Sequence, residues 1–329
     1  MQVRLRVMAR GRKLLVGGFL YLAIGLVATA PAPAADSSLN GFDLEGALLP
    51  REEIRAGGPA RDEIQSVDEP VFVAVGEAHW VLESNPVLGV AVGEEAHAYP
   101  VHLIEPHQIV NDEVGGVPVA VTYDPLVAVP RAYRREVEGK TLSFGVSGLV
   151  YNSNFLLYDR QTESLWLQFT GQAIAGPMAG KKLERIPIRQ ELLGTWLSRH
   201  PLSQVLSRPR PTKIDYRYSR YSRYMVEDKV IFPVKARDDR FHAKELALGV
   251  VVDGRARAYL GSLVTKAGGK VDDEFGGKKI GLVYSTDDGI YSYDVAEGVD
   301  ITESYWFAWK AFHPDTEVWN DPGRPSGTE

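Results

Sequence analysis

The sequence predicts an α+β, β-rich fold of two unequal pseudo-repeats, each made of hairpin-based sheets with short helices, and three observations carry that expectation. Leu88–Tyr99 (LGVAVGEEAHAY) returns as Leu248–Tyr259 (LGVVVDGRARAY) with seven of twelve positions identical. A second segment, Val110-Asn-Asp-Glu-Val-Gly-Gly116 through Tyr123, returns as Val271-Asp-Asp-Glu-Phe-Gly-Gly277 through Tyr284, the two offsets being 160 and 161 residues. In both copies apolar and polar residues alternate between glycine-rich or acidic turns, the pattern of half-buried strands joined by tight hairpins. Duplicating a supersecondary unit repeats one packing solution, so residues present in a single copy are the first place to look for function.

In chain order, the first thirteen residues hold Arg4, Arg6, Arg10, Arg12 and Lys13 without an acid, and an apolar run from Leu14 to Ala30 leads into Ala32-Pro33-Ala34. Basic, apolar and small-residue segments in that order predict a signal peptide over residues 1–34; an uncleaved anchor is the alternative, disfavoured by a run barely of spanning length that contains Gly17, Gly18 and Gly25. Residues 35–70 read as an N-terminal arm broken at Gly57-Gly58-Pro59, with Arg61 and Asp62 available to fold back over the body. Residues 71–206 form the first pseudo-repeat, opening on the strand Val71-Phe-Val-Ala-Val75 and turning at Gly93-Glu94 and Gly115-Gly116. Past Tyr123 this copy carries an insertion that includes Phe144–Tyr158. Similarity then resumes, with Thr162-Glu-Ser-Leu-Trp166 set against Thr302-Glu-Ser-Tyr-Trp306, and a helix over 190–199 before His200-Pro201 set against one before His313-Pro314. Residues 207–243 are the connector, and 244–329 the second pseudo-repeat, with turns at Asp253-Gly254 and Gly276-Gly277.

The formal net charge of −6 falls to near −11 once the five leader cations are removed. An acidic surface repels phosphate backbones and anionic lipid, so no nucleic-acid partner is expected, even though Tyr216-Arg-Tyr-Ser-Arg-Tyr-Ser-Arg-Tyr224 interleaves cations with aromatics; its tyrosines are expected to pack on one repeat. The absence of cysteine excludes disulfides, thiol redox chemistry and a thiolate-bound metal. The expected location is periplasmic or secreted, with no stable membrane span after cleavage; the oligomeric state is not legible.

Several segments together resemble a bacterial and archaeal family known as domain-of-unknown-function family 3179: Gly57-Gly-Pro59, Leu88-Gly-Val90, Ala96-His-Ala-Tyr-Pro100, His107-Gln-Ile-Val-Asn-Asp112, Gly145-Val-Ser-Gly-Leu149, Tyr151-Asn-Ser153, Tyr158-Asp-Arg160 and Glu163-Ser-Leu-Trp166. The resemblance covers nearly all of the chain after the leader and implies no established activity. It also implies a Cys-Pro-Leu-Cys segment after Thr122-Tyr123, where this chain has Asp124-Pro125-Leu126-Val127. Both sulfurs are replaced, leaving His107 and Asp124 as harder donors at that place.

The candidate ligand-binding residues are His107, Asp124, Tyr151, Asn152, Ser153, Asp159, Arg160 and Trp166, and a divalent metal on His107, Asp112 and Asp124 is the cofactor expectation. Tyr151–Asn154 place four hydrogen-bonding side chains between apolar runs, which is costly to bury without partners; either a ligand or neighbouring backbone serves. Asp159, Arg160 and Trp166 suit a carboxylate or a sugar, or a turn salt bridge. The leading expectation is a binding or accessory protein with a polar-ligand or metal pocket in the first repeat. The alternatives are a hydrolase- or transferase-type enzyme pairing His107 with Asp124 or Asp112, and a structural envelope protein.

Overall fold

A computed structural model describes residues 38–209 and 213–321. The expected signal peptide lies outside these residues. The fold is β-rich, with 42% strand and 12% helix. The arm supplies β1 (Ser38–Leu39), β2 (Phe42–Asp43) and β3 (Arg55–Ala56), and β4 (Phe72–Ala74) is the strand that opens the first copy. The first repeated segment supplies β5 (Pro86–Val92), β6 (Glu95–Pro100), α1 (Val101–Ile104), β7 (Ile109–Val114), β8 (Val117–Asp124) and β9 (Val129–Arg134). The insertion follows as β10 (Glu136–Val137), β11 (Lys140–Thr141), β12 (Phe144–Tyr151), β13 (Asn154–Asp159), β14 (Leu165–Leu167) and β15 (Ala173–Ala175). The chain then runs through β16 (Arg185–Ile186), β17 (Arg189–Leu192), α2 (Leu193–Arg199) and β18 (Gln204–Leu206) to the connector helix α3 (Ser222–Val226). The second copy comprises β19 (Leu246–Val252), β20 (Arg255–Leu260), α4 (Gly261–Lys266), β21 (Lys270–Phe275), β22 (Lys278–Ser285), β23 (Ile290–Val295), β24 (Asp300–Tyr305), α5 (Trp306–Phe312) and β25 (Glu317–Val318).

Besides the ribbons β1-β2 and β10-β11, the described strands form five sheets: sheet I, β17-β5-β6-β18-β4; sheet II, β16-β9-β8-β7; sheet III, β15-β14-β13-β12-β3; sheet IV, β24-β19-β20-β25; and sheet V, β21-β22-β23. They are arranged like the five blades of a propeller, which corrects the expectation of two pseudo-repeats as the plan of the molecule. The sequence repeat survives as matched strand orders. In sheets I and IV an antiparallel hairpin is flanked by a returning antiparallel strand on one side and a short parallel strand on the other. The copies do not separate into modules because they exchange edges: β17 of sheet I packs on β23 of sheet V, and β24 of sheet IV packs on β9 of sheet II.

The pairing also corrects one expected correspondence. Thr302 pairs with Gly249 as Arg189 pairs with Gly89, so 302–306 is the counterpart of 189–193 and not of Thr162–Trp166, which lies at the β13-β14 corner of the insertion. Residues 190–192, expected as helix, belong to strand β17.

The repeated Leu-Gly-Val has a packing cause. A Cβ on Gly89 would lie 2.3 Å from the Trp196 ring, and one on Gly249 2.3 Å from that of Trp309, so each tryptophan lies flat on a strand with no side chain at that point. The indole N–H groups donate to Ser203 and Thr316, each at 2.8 Å.

Sheet III has no counterpart among the described residues of the second copy, and its effect appears in burial. On sheet II, Ile109, Ala120 and Tyr133 pack against Phe144, Leu157 and Trp166 of sheet III, while Val110, Val121 and Ala132 pack on the other side against Leu88, Val90 and Tyr99. Strand β8 is therefore buried on both faces, whereas its counterpart β22 has one covered face and one open to solvent. The cores under sheets I and IV are apolar, from Val87 and Trp196 in one to Ala247 and Trp309 in the other.

Candidate functional site

Strand β8 ends at Asp124, which is fully buried. One carboxylate oxygen accepts from Asn154 Nδ2 and from the Phe155 backbone N–H, both at 2.8 Å, and the other accepts from the Leu126 N–H at 2.9 Å. Burial pushes this carboxyl up to about 7, against the pull of the N–H groups of Phe155, Leu126, Asn154 and Val127. Asn154 also donates to Gln168 Oε1 at 2.8 Å and accepts from the Phe169 N–H, while Gln168 donates to Thr122 Oγ1 and the Val129 carbonyl. Asp124 is thus the anchor of a closed polar network joining sheets II and III.

His107 follows α1, with Nδ1 2.7 Å from the Gln65 carbonyl and Nε2 2.7 Å from the Tyr216 hydroxyl. Burial lowers its pKa, the Gln65 bond opposing and Arg220 adding to the effect. Asp112 accepts from the Tyr99 hydroxyl at 2.5 Å and lies 2.8 Å from His97 Nδ1. The three residues expected to hold a divalent metal therefore face different partners, and no group of three or more His, Asp or Glu among the described residues is placed to hold a metal ion. The His107–Asp124 and His107–Asp112 acid-base pairs likewise do not form, because both ring nitrogens of His107 are engaged elsewhere.

Asn152 and Ser153 form the two-residue turn between β12 and β13, both with positive φ, 50° and 62°. Their side chains bind the connector: Asn152 Oδ1 accepts from the Lys235 N–H at 2.9 Å, and Ser153 Oγ donates to the Phe232 carbonyl at 2.9 Å. Tyr151 packs edge-on against Phe312. Asp159 accepts from the Trp166 indole and from Thr162, which closes the next turn. Trp166 is wholly within the core. Arg160 donates to Asp62, to the Tyr158 hydroxyl and to Ser66, and Arg61 pairs with Glu163 at 2.8 Å. The arm does fold back over the insertion, and Arg160 holds it there. Of the connector tyrosines, Tyr216 bonds His107 and Tyr221 bonds Gln108 of the first copy, whereas Tyr224 donates to the Leu126 carbonyl and also packs in the second copy's core with Ala247 and Trp306, which corrects the expectation of packing on one repeat.

Arm, insertion and connector meet at a cleft of about 220 Å³ lined by Pro59 and Ile64 of the arm, Val146 and Phe155 of sheet III, Leu126, Gln108, and Tyr221, Ile231 and Phe232 of the connector. Its walls are apolar, and Ile231 is 50% exposed. Polar groups come from the Tyr221 hydroxyl and from Gln108, which is 4% exposed. Its Nε2 donates to the Tyr221 hydroxyl at 3.3 Å, and its Oε1 is buried with no partner. Its backbone has φ of +64°. The counterpart is Gly269, φ +81°, whose carbonyl accepts from the Tyr284 N–H at 2.9 Å as that of Gln108 accepts from Tyr123 at 2.9 Å. One conformation therefore carries glycine in the second copy and glutamine in the first, at a cost of roughly 1–2 kcal/mol for a residue with a Cβ in the left-handed region.

Over residues 61–298 the sequence matches the family described as protein of unknown function (DUF3179). The chain belongs to that family. No curated protein and no solved structure matches it. In this DUF3179 chain the segment 124–127 stands at the junction of three sheets. Asp124 is held from sheet III, and the Val127 carbonyl accepts from the Tyr305 N–H of sheet IV at 2.8 Å. Gln108 was not among the residues singled out from the sequence. Its signal lies in the alignment of the copies, where a glutamine stands opposite the second glycine of Gly268-Gly269.

Proposed function

We propose that this DUF3179 chain is an exported binding protein whose cleft beside Gln108 takes a small, largely apolar molecule carrying one N–H or O–H donor. The observation that carries this reading is the unpartnered Gln108 Oε1, buried at an apolar cleft on a backbone conformation for which the second copy uses glycine. A buried acceptor without a donor costs about 1–3 kcal/mol, and strain of this kind persists where the surroundings impose it for a purpose. A ligand donor in the cleft removes the first cost. Export is supported by the basic, apolar and small-residue order of residues 1–34; among the described residues no helix is long and apolar enough to cross a membrane.

The polar residues expected to line the pocket contribute indirectly in this reading. Asp124 fixes the Leu126 and Phe155 walls through their backbone N–H groups. Asn152 and Ser153 hold the connector segment that supplies Phe232.

Isothermal titration of the chain with indole and with indene, of the same shape but lacking the N–H, tests the reading. Indole is expected to bind at least about tenfold more tightly than indene, as one hydrogen bond to a desolvated acceptor provides. Gln108→Gly is expected to abolish that preference while stabilising the fold by about 1 kcal/mol, because the backbone strain is relieved. Equal binding of the two probes, or a preference that survives Gln108→Gly, rejects the assignment.

A further inference from the structure

The two edge exchanges of the fold are related positions filled in opposite ways. Where β24 meets β9, Arg131 is buried, donating to Thr302 Oγ1 at 2.5 Å and to the Phe169 carbonyl at 3.0 Å. Phe169, from the insertion, stacks on Phe312 with ring centroids 4.1 Å apart and planes 9° from parallel. Its carbonyl accepts a second guanidinium bond, from Arg185 at 3.1 Å. An aromatic ring next to an oxygen held by two arginines therefore fills this seam.

Where β17 meets β23 no insertion is present. Following the strand pairing, Ser292 stands at the position of Arg131, Arg189 at that of Thr302, and Arg199 at that of Phe312. The result is a cleft of about 290 Å³. Arg189 lies over the Tyr293 ring, 4.5 Å from its centroid, and donates to the Tyr293 carbonyl at 2.9 Å. No carboxylate forms an ion pair with Arg189 among the described residues, whereas Arg199 is already paired with Glu191. Gln190 also borders the cleft, but its side chain alternates to the opposite face of β17, with Ile188 and its partner Leu88.

We propose that the cleft between β17 and β23 binds an aromatic monocarboxylate, which occupies the place that Phe169 fills in the related seam. The carboxylate meets Arg189 and the planar group lies against Arg199, a guanidinium being suited to both roles. Glu191 and Asp294, both in the lining, disfavour a second negative group. This site is separate from the Gln108 cleft and rests on different residues.

Hippurate, a benzoyl group on glycine, is the probe. Titration calorimetry on the full chain is expected to show saturable binding with Kd on the order of 1 mM, and its neutral methyl ester is expected to bind at least about tenfold more weakly. Arg189→Met is expected to weaken hippurate to the level of the ester. Ser292→Arg, which supplies the side chain that fills the other seam, is expected to abolish binding with the circular dichroism spectrum unchanged. Absence of saturable heat up to about 10 mM hippurate, equal binding of the ester, or wild-type affinity in both variants overturns the proposal.

Discussion

His97 and Asp112 stand 2.8 Å apart, imidazole Nδ1 to carboxylate Oδ2, in the first copy, and Arg257 and Asp273 stand 2.8 Å apart at the equivalent place in the second. Both pairs share a tyrosine, Tyr99 donating to Asp112 and Tyr259 to Asp273. Each basic side chain also reaches a second acid, Glu95 or Glu317, at 2.9 and 2.8 Å. One brace has thus been kept with two different nitrogen-bearing side chains. His97→Leu is expected to cost about 1–3 kcal/mol by leaving the buried Asp112 short of a partner, while His97→Arg, able to stack on Phe72 as the imidazole does, costs less than about 1 kcal/mol. Urea midpoints at unchanged m-value measure both; equal losses would count against the brace.

The flat seating of Trp196 on Gly89 and of Trp309 on Gly249 leaves no room for a methyl group. Gly89→Ala and Gly249→Ala are each expected to destabilise by about 1–3 kcal/mol through overpacking. In a double-mutant cycle the Gly89→Ala cost is expected to shrink when Trp196→Leu removes the obstructing ring, and strict additivity would refute the steric cause.

The half-buried His313 and the buried Glu303 give opposite pH dependences. Burial depresses the His313 imidazole to about 4, Asp300 opposing and Arg131 and Arg185 assisting, so the unfolded chain takes up the proton first. Its contribution is complete above about pH 6.5, is lost as pH falls from there, and has no more to lose below about pH 4. Burial raises the Glu303 carboxyl to about 8, with Arg189 opposing, so its contribution is complete below about pH 4.5 and is lost as pH rises through about pH 8. Melting temperatures of His313→Phe and Glu303→Gln between pH 4 and 9 check this, each variant flattening its own limb by on the order of 1–2 kcal/mol. Curves that stay parallel to wild type would contradict both assignments.

Asp62 ties the arm to sheet III, since Tyr158 and Arg160 both donate to it. Asp62→Ala is expected to cost about 1–2 kcal/mol and to expose the Gly57-Gly58 region to proteolytic nicking. A cleavage rate at that segment equal to wild type would show that other contacts hold the arm.

The expected hairpins at Gly93-Glu94, Gly115-Gly116, Asp253-Gly254 and Gly276-Gly277 are the turns of the structure, because a tight turn is governed by the conformational freedom of two residues and is written locally. The helices before both His-Pro pairs were legible from apolar spacing and a following proline, although the first begins at Leu193 and not at residue 190. Polar side chains such as His107, Asp112, Asp124 and Asn152 were recognisable as needing partners, since burial of a polar group is costly wherever it occurs. The sequence could not say which partners they find. That depends on contacts such as Asp124 to Phe155, Tyr216 to His107 and Arg61 to Glu163, between elements distant along the chain. For the same reason the exchange of edges that sets five sheets in place of two modules, the meeting of arm, insertion and connector beside Gln108, and the opening of one seam where Phe169 closes the other are decided only by tertiary packing. Turn chemistry and alternation act over a few residues, whereas a cleft is the space left between faces that local pattern does not align.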